Sequence, residues 1–352
     1  MLNRKLFFIG ALFFGVLAYF VYDFYRFVHT PLLSNNINGH TQSIVFQIQP
    51  GTSLKKLIRR LAELKILSTK KQQRYFEYYI KLHQASGLLK MGEYELLPNH
   101  TPKSLFQKLV NGQVVLYTFT IVEGWSFQDI LDALQKHPKL EKKLYNLTAF
   151  EIVQKLNLPA QPEGWFYPAT YYFSLGFSDE AVLKKANQLM YKTLEKEWKN
   201  RSPDLLLASP YEALILASII EKETALQAER KTMSGVYQLR LKYKMLLQAD
   251  PTVLYGLPLR KKKLSKLDLQ SDSPYNTYKK TGLPPTPIAS PSLSSIRAAC
   301  QPEYKGFLYF VATGEGGHYF SKDLAEHNKA VRLYQLRGQP PPQPSPAERG
   351  RG

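Results

Sequence analysis

The chain has 352 residues, with 47 Lys and Arg against 28 Asp and Glu, a formal charge of +19, and 44% apolar and 13% aromatic residues. That length holds one large or two modest domains, and the apolar content excludes a disordered chain. Cys300 is the sole cysteine, which excludes an intrachain disulfide scaffold and leaves the redox compartment unread. The charge selects for anionic partners: nucleic acid, a membrane surface or an acidic polymer.

Arg4 and Lys5 precede an uncharged run, Leu6 to Tyr22. As a helix this run reaches roughly 26 Å, the short end of a membrane span, and Phe24 to Val28 extend it past Asp23 and Arg26. Residues 1–28 read as a cytoplasmic N-terminus and a single transmembrane anchor. A cleavable signal peptide is the weaker reading, because Tyr19 to Phe27 is almost continuously bulky where cleavage needs small residues. Arg4 and Lys5 ahead of the span, with Asp23 offsetting Arg26 behind it, hold the N-terminus in the cytoplasm. The remainder then lies outside the membrane, in a bacterium the periplasm or cell-wall space, out of reach of cytoplasmic nucleic acid.

Residues 29–42 read as a linker, polar from Ser34 to Gln42. Ser43 to Gln49 alternates as a strand, Pro50-Gly51 turns the chain, and Ser53 to Leu64 has helical spacing, with Thr52 or Ser53 as N-cap. Leu54, Leu57, Ile58 and Leu61 make its apolar face; Lys55, Lys56, Arg59 and Arg60 make a solvated one. Gly92 to Leu97 reads as a strand and Thr101 to Val110 as a helix, so residues 43–116 form a small α+β module. Tyr117 to Val122 is a strand, Ser126 to Leu134 a helix, and residues 117–337 one larger α+β domain. The cation run Arg260 to Lys263 lacks interleaved aromatics and reads as a solvated loop. Residues 338–352 form a low-complexity, disordered tail.

Histidines stand without metal-ligand spacing, and neither a phosphate-binding glycine loop nor a G-x-S-x-G elbow occurs. Acid/base chemistry is left to Tyr211 to Glu229, read as one helix. Glu221 and Glu223 lie roughly 200° apart around it and do not face each other. Glu223 shares a face with Leu216, Ile219, Ile220 and Leu226, whereas Glu221 neighbours the smaller Ala217, Ser218 and Ala225 together with Leu214. A carboxyl on the heavier stripe is desolvated and its pKa rises, as a general acid requires. On pattern alone, a helix-end Glu223 paired with Lys222, Arg230 or Lys231 is the stronger reading. From Gly235 on, segments read as loops dense in Tyr, Asn, Gln, Asp, Pro and Gly offer flat apolar faces with polar edges, suited to sugar rings.

Five strings share one resemblance: EGWFYPATY (Glu163 to Tyr171), ASIIEKET (Ala217 to Thr224), LQADPTVLYGL (Leu247 to Leu257), YNTY with GLPPTPIASP (Tyr275 to Pro291), and LYFVATGEGGHYFS with EHN (Leu308 to Asn328). In this order they resemble the endolytic murein transglycosylase (MltG/YceG-like) family of the bacterial inner membrane. The resemblance implies a single transmembrane helix, a LysM-like module over residues 43–116 and a catalytic domain over residues 117–337. It implies a lyase that cleaves the MurNAc-β-1,4-GlcNAc bond within nascent glycan strands, leaves 1,6-anhydro-MurNAc ends and terminates strand elongation. Glu223, the second glutamate of E-K-E-T, matches the catalytic acid/base, and Gln248, Asp250, Tyr275, Asn276, Glu163 and Glu221 are the candidates for binding substrate or orienting Glu223. No metal or cofactor is implied. The partners are peptidoglycan strands, the inner membrane and peptidoglycan synthases, not nucleic acid. Ala169 and Leu239 depart from the family, where Asp and Asn are common. The competing expectation is a non-catalytic peptidoglycan-binding scaffold of the cell-wall synthesis machinery.

Overall fold

The computed structural model describes residues 2–33, 43–85, 87–158, 161–258, 261 and 263–335. The expected polar linker over residues 34–42, the tail over residues 338–352, and Arg260 and Lys262 of the cation run lie outside them.

The architecture is α+β. Its elements run α1 (Leu2–His29), β1 (Ile44–Ile48), α2 (Leu54–Glu63), α3 (Lys70–Leu82), β2 (Gly92–Leu96), α4 (Pro102–Asn111), β3 (Tyr117–Thr120), α5 (Phe127–Lys136), α6 (Ala149–Leu156), β4 (Thr170–Phe173) and α7 (Asp179–Lys199). They continue with α8 (Pro210–Glu223), α9 (Gln227–Lys242), α10 (Asp250–Gly256), α11 (Leu293–Cys300), β5 (Tyr309–Ala312), β6 (His318–Ser321) and α12 (Leu324–Tyr334). Two compact units result, residues 1–118 with 172–177 and residues 119–171 with 178–352, the division falling inside β3 and β4.

In the first unit, β1 and β2 pair antiparallel with Phe46 opposite Tyr94 and Ile48 opposite Gly92. Alternation sends Phe46 and Ile48 inward and leaves Val45 exposed. Ser53 caps α2 by accepting from the Lys56 N–H, and Leu57, Ile58 and Leu61 are buried beneath its basic outer face. The sequence reading passed over α3, although Thr69 and Gln72 form a capping box ahead of Phe76, Tyr79 and Ile80 at helical spacing. The segment Phe7–His29 of α1 is long and apolar enough to cross a membrane, with a mean hydropathy of 1.9. Phe7 to Tyr22 present exposed apolar side chains, but Phe24, Phe27 and Val28 pack into the core of this unit. Asp23 seals that junction, accepting from the Tyr75 hydroxyl at 2.8 Å and pairing with Lys71 at 2.6 Å.

The second unit is organised on α8. Residues Ala213 to Ile220 are all buried, the behaviour of a helix that is apolar on every side, and α7, α9, α10 and α11 pack around it. Long α7 has Ser178 as N-cap, Asp179 and Glu180 in its first turn and Lys196 and Lys199 in its last, matching the helix dipole at both ends. Its buried Glu197 accepts from two nitrogens of Arg297 at 3.1 and 3.2 Å, tying α7 to α11. At Gly235 a Cβ would meet the Glu303 carbonyl oxygen at 2.2 Å, so α9 approaches that backbone as only glycine permits. The antiparallel β5–β6 hairpin carries α12.

Candidate active site

The stretch expected as one helix from Tyr211 to Glu229 is two. Thr224 leaves helical geometry at φ −135°, ψ 132°, and its hydroxyl accepts from the Leu226 N–H while donating to Glu229. This local side-chain bonding offers the backbone an alternative to the helical ladder. Glu229 in turn accepts from the His318 N–H at 2.8 Å and lies 2.8 Å from the His318 ring, fixing the break against the start of β6. Gly235 to Lys242, expected as part of a loop, belongs to α9; Met233, Val236, Tyr237 and Arg240 sit at helical spacing and are all buried.

Glu221 and Glu223 leave the last turn of α8 toward different partners. The Glu221 side chain is 5% exposed and forms a two-pronged pair with Arg230 at 3.1 and 3.2 Å. It also accepts from the Ser292 N–H at 2.8 Å and the Ser292 hydroxyl at 2.5 Å, joining α8 to the N-cap of α11. Arg230, one of the partners expected for Glu223, thus belongs to Glu221. Half-buried Glu223 receives one hydrogen bond among the described residues, from the Tyr237 hydroxyl to its Oε1 at 2.8 Å. Burial pushes its carboxyl up to about 7, against the opposing effect of Tyr237, with the Asp250 charge adding to the rise and Arg240 countering it. A carboxyl so placed is an acid near neutral pH and a base once it has given up its proton.

The L-Q-A-D-P-T segment stands beside this carboxyl because it is stapled to Y-N-T-Y. Gln248 adopts a left-handed φ of 51° and its N–H donates to the Thr277 carbonyl at 3.1 Å. The Ala249 N–H donates to the Thr277 hydroxyl at 3.0 Å, and the Thr252 and Thr277 hydroxyls meet at 2.8 Å. Asp250 is exposed at the start of α10 and accepts from the Tyr278 hydroxyl at 2.6 Å. Asn276 is fully buried, its amide donating to the Leu269 and Ser271 carbonyls, so it shapes the loop from within. Arg240 anchors the other end, donating to the Leu247 carbonyl at 2.7 Å and the Leu308 carbonyl at 2.6 Å.

Glu163 and Tyr275 lie toward the far end of α10. Buried Glu163 accepts from the Phe127 N–H at 2.9 Å and the Tyr255 hydroxyl at 3.0 Å. Burial pushes its carboxyl up to about 7 despite those donors. Tyr275 packs edge-on against Tyr255 and meets the Thr286 hydroxyl at 2.9 Å. A cleft of about 490 Å³ opens here, lined by Gly124, Glu163, Lys222, Pro251 and Tyr255 among others. Glu223 is not in its lining, but Lys222 and Pro251 are the chain neighbours of Glu223 and Asp250. Of the two departures, half-buried Ala169 accepts from the Ile121 N–H through its carbonyl, and half-buried Leu239 lies on α9.

The sequence reading missed the roles of Tyr237, Arg240, Tyr255, Tyr278 and His318, and gave Arg230 to the wrong glutamate. Helical spacing marked Tyr237 and Arg240 once the stretch from Gln227 is read as helix. Tyr255, Tyr278 and His318 stand inside the resembling strings, but their partners Glu163, Asp250 and Glu229 lie 92, 28 and 89 residues away, so nothing local marked the pairing.

This geometry, with a desolvated glutamate at the end of a buried helix and loops of Tyr, Asn and Asp held around it, sits inside a family match. Residues 46–333 match the YceG-like family, and the chain belongs to that family. It is 33% identical over 315 residues to the endolytic murein transglycosylase of Bacillus subtilis, spanning 83% of this chain and 85% of that protein. It is 28% identical over 342 residues to the endolytic murein transglycosylase of Streptococcus pneumoniae strain D39, spanning 87% of this chain and 61% of that longer protein. The crystal structure of a yceG-like protein from Listeria monocytogenes matches with a TM-score of 0.52 at 32% identity, over 82% of this chain and 99% of the other.

Proposed function

We propose that this protein is an endolytic murein transglycosylase, a lyase that cuts the MurNAc-β-1,4-GlcNAc bond inside glycan strands. The observation that carries the reading is Glu223: a half-buried carboxyl, pushed to about 7, with a single donor among the described residues, at the end of a core helix. Protonated, it gives its proton to the glycosidic oxygen as the bond to the muramyl C1 breaks. As carboxylate it takes the proton of the muramyl C6 hydroxyl, whose oxygen bonds to C1 and closes a 1,6-anhydro ring. The proton count closes on one carboxyl without water, and the substrate acetamido group can stabilise the cationic centre. Hydrolysis by paired carboxylates would call for a second acid about 5 to 9.5 Å away.

Gln248, Asp250 and Tyr275 are proposed to touch the sugars, while Glu163, Glu221 and Asn276 hold the walls, a division supported by how fully the last three are engaged within the protein. The apolar Phe7–His29 segment fits a single-pass anchor. We assign its N-terminus to the cytoplasm, residues 43–116 to a LysM-like module, residues 117–337 to the catalytic domain, and strand termination beside peptidoglycan synthases to the inner membrane. The β1-α2-α3-β2 order supports the module reading, and the net charge of +19 suits an anionic bilayer and acidic stem peptides.

Digestion of purified glycan strands by the full chain, with mass analysis of the ends, tests the reaction. Anhydro-muramyl ends that vanish in Glu223→Gln are expected. Reducing ends would make the protein a hydrolase, and strands bound but uncut by a folded chain would make it a scaffold.

A further inference from the structure

Glu223 has two oxygens, and the structure treats them differently. Oε1 accepts the Tyr237 hydroxyl at 2.8 Å, whereas Oε2 has no hydrogen-bond partner among the described residues. We propose that Tyr237 is the positioning residue of the site, fixing Oε1 so that Oε2 alone hands the proton to the glycosidic oxygen and takes it back from the C6 hydroxyl. This rests on the assignment of Glu223 as acid/base.

Tyr237 is suited to that task by its rigidity. It is fully buried, its ring meets Phe310 edge-on at 5.7 Å, and its helix is pressed against the Glu303 backbone two residues earlier, at Gly235. Phe310 packs in turn on the His318 ring at 5.5 Å, which Glu229 holds beside the α8–α9 break. The hydroxyl is therefore aimed by a frame that includes the C-terminal hairpin. Burial, with the Glu223 charge and hydrogen bond, pushes the phenol well above its ordinary value, so it stays a donor throughout the working pH range. An unanchored glutamate could offer either oxygen in several rotamers, and holding one near-attack geometry is a direct source of rate.

The same bond acts on the proton. Four groups bear on Glu223: Tyr237 and Arg240 from α9, Asp250 from α10, and Tyr278, which donates to Asp250. Among them Tyr237 alone hydrogen-bonds the carboxyl, and a donor favours its ionised form. Tyr237 thereby keeps a desolvated carboxyl from rising so far that it cannot release its proton.

The test is the pH–rate profile of strand cleavage by the full chain. Activity falls as pH rises past the value at which Glu223 loses its proton. Tyr237→Phe keeps the ring and its packing on Phe310, and removes the donor. Its alkaline limb is expected to move up by about one pH unit, the size of a hydrogen bond to a charged group, with kcat down about tenfold and KM unchanged. A 3,5-difluorotyrosine placed at position 237 is a stronger donor and is expected to move the limb the other way. Limbs that stay put in both variants, with any loss of rate matched by loss of folded protein, would leave Tyr237 a packing residue and overturn the proposal. Retained activity in Glu223→Gln would overturn the acid/base assignment and this inference with it.

Discussion

Glu221 and Glu223 are the same residue type, two residues apart on α8, and the protein treats them oppositely. Glu221 meets Arg230 and both donors of Ser292, so its charge is spent on joining α8, α9 and α11. Glu223 meets one phenol and desolvation, and its proton is held to about 7. Burial alone does not make an acid. The difference is the kind of partner supplied: Glu221 is tied to the Arg230 cation, whereas Glu223, like Glu163 with its neutral donors, has no cation hydrogen-bonded to it among the described residues, and burial pushes both carboxyls up to about 7.

Exchanging each glutamate for glutamine separates the two roles, and activity is where the largest effect is expected. Glu223→Gln is expected to lose about 10²- to 10⁴-fold in turnover, the usual worth of an acid/base group, while folding normally. Glu221→Gln, assayed at a temperature where it is folded, is expected to stay within about tenfold of the parent, below that range. Equal losses in the two would dissolve the contrast. Denaturant unfolding is expected to reverse the order: Glu221→Gln strands the Arg230 charge and costs about 3 to 5 kcal/mol.

A smaller effect tests whether the frame behind Tyr237 matters. Gly235→Ala forces a methyl against the Glu303 carbonyl, with an expected cost of about 1 to 3 kcal/mol and a reduced turnover as α9 shifts.

The smallest effect is a pH dependence of stability. Below the ordinary carboxylate value Glu223 is protonated whether folded or not and contributes nothing. Between that value and about 7 the folded chain holds a proton that the unfolded chain releases, so stability declines as pH rises and the full penalty stands above about 7. Glu223→Gln is therefore expected to raise Tm relative to the parent at pH 8 and to change it little at pH 5, as thermal scans at the two pH values would show.

Much of the local structure was legible because its causes are local. Ser53, Thr101 and Ser126 stand at the N-caps of α2, α4 and α5, as the spacing of the apolar residues behind them requires. Alternation placed β1 and β2, and an unbroken apolar run placed α1. The failures also have local causes. Helical spacing continued past Thr224, so the break between α8 and α9 was invisible without the Thr224–Glu229–His318 contacts. The residues after Gly235 looked like loop because Gly235, Val236 and Tyr237 are weak helix formers, yet packing against Glu303 and Phe310 overrides propensity there.

By itself the sequence determined the class of fold, the family, the candidate span and the glutamate on which to stake the chemistry, since composition, periodicity and ordered motifs are properties of neighbouring residues. It did not determine what sets that glutamate apart from Glu221. The expected argument, that Glu223 lies on a heavier apolar stripe than Glu221, has little force in a helix where Leu214, Ala217 and Ser218 are buried as completely as Leu216 and Ile219. Only the tertiary structure brought Arg230 and Ser292 to one carboxyl and Tyr237 to the other. Desolvation and hydrogen bonding are set by what packs around a side chain in space, and the partners of Glu221 and Glu223 stand between 9 and 71 residues away along the chain, Tyr237 at 14, Arg230 at 9 and Ser292 at 71.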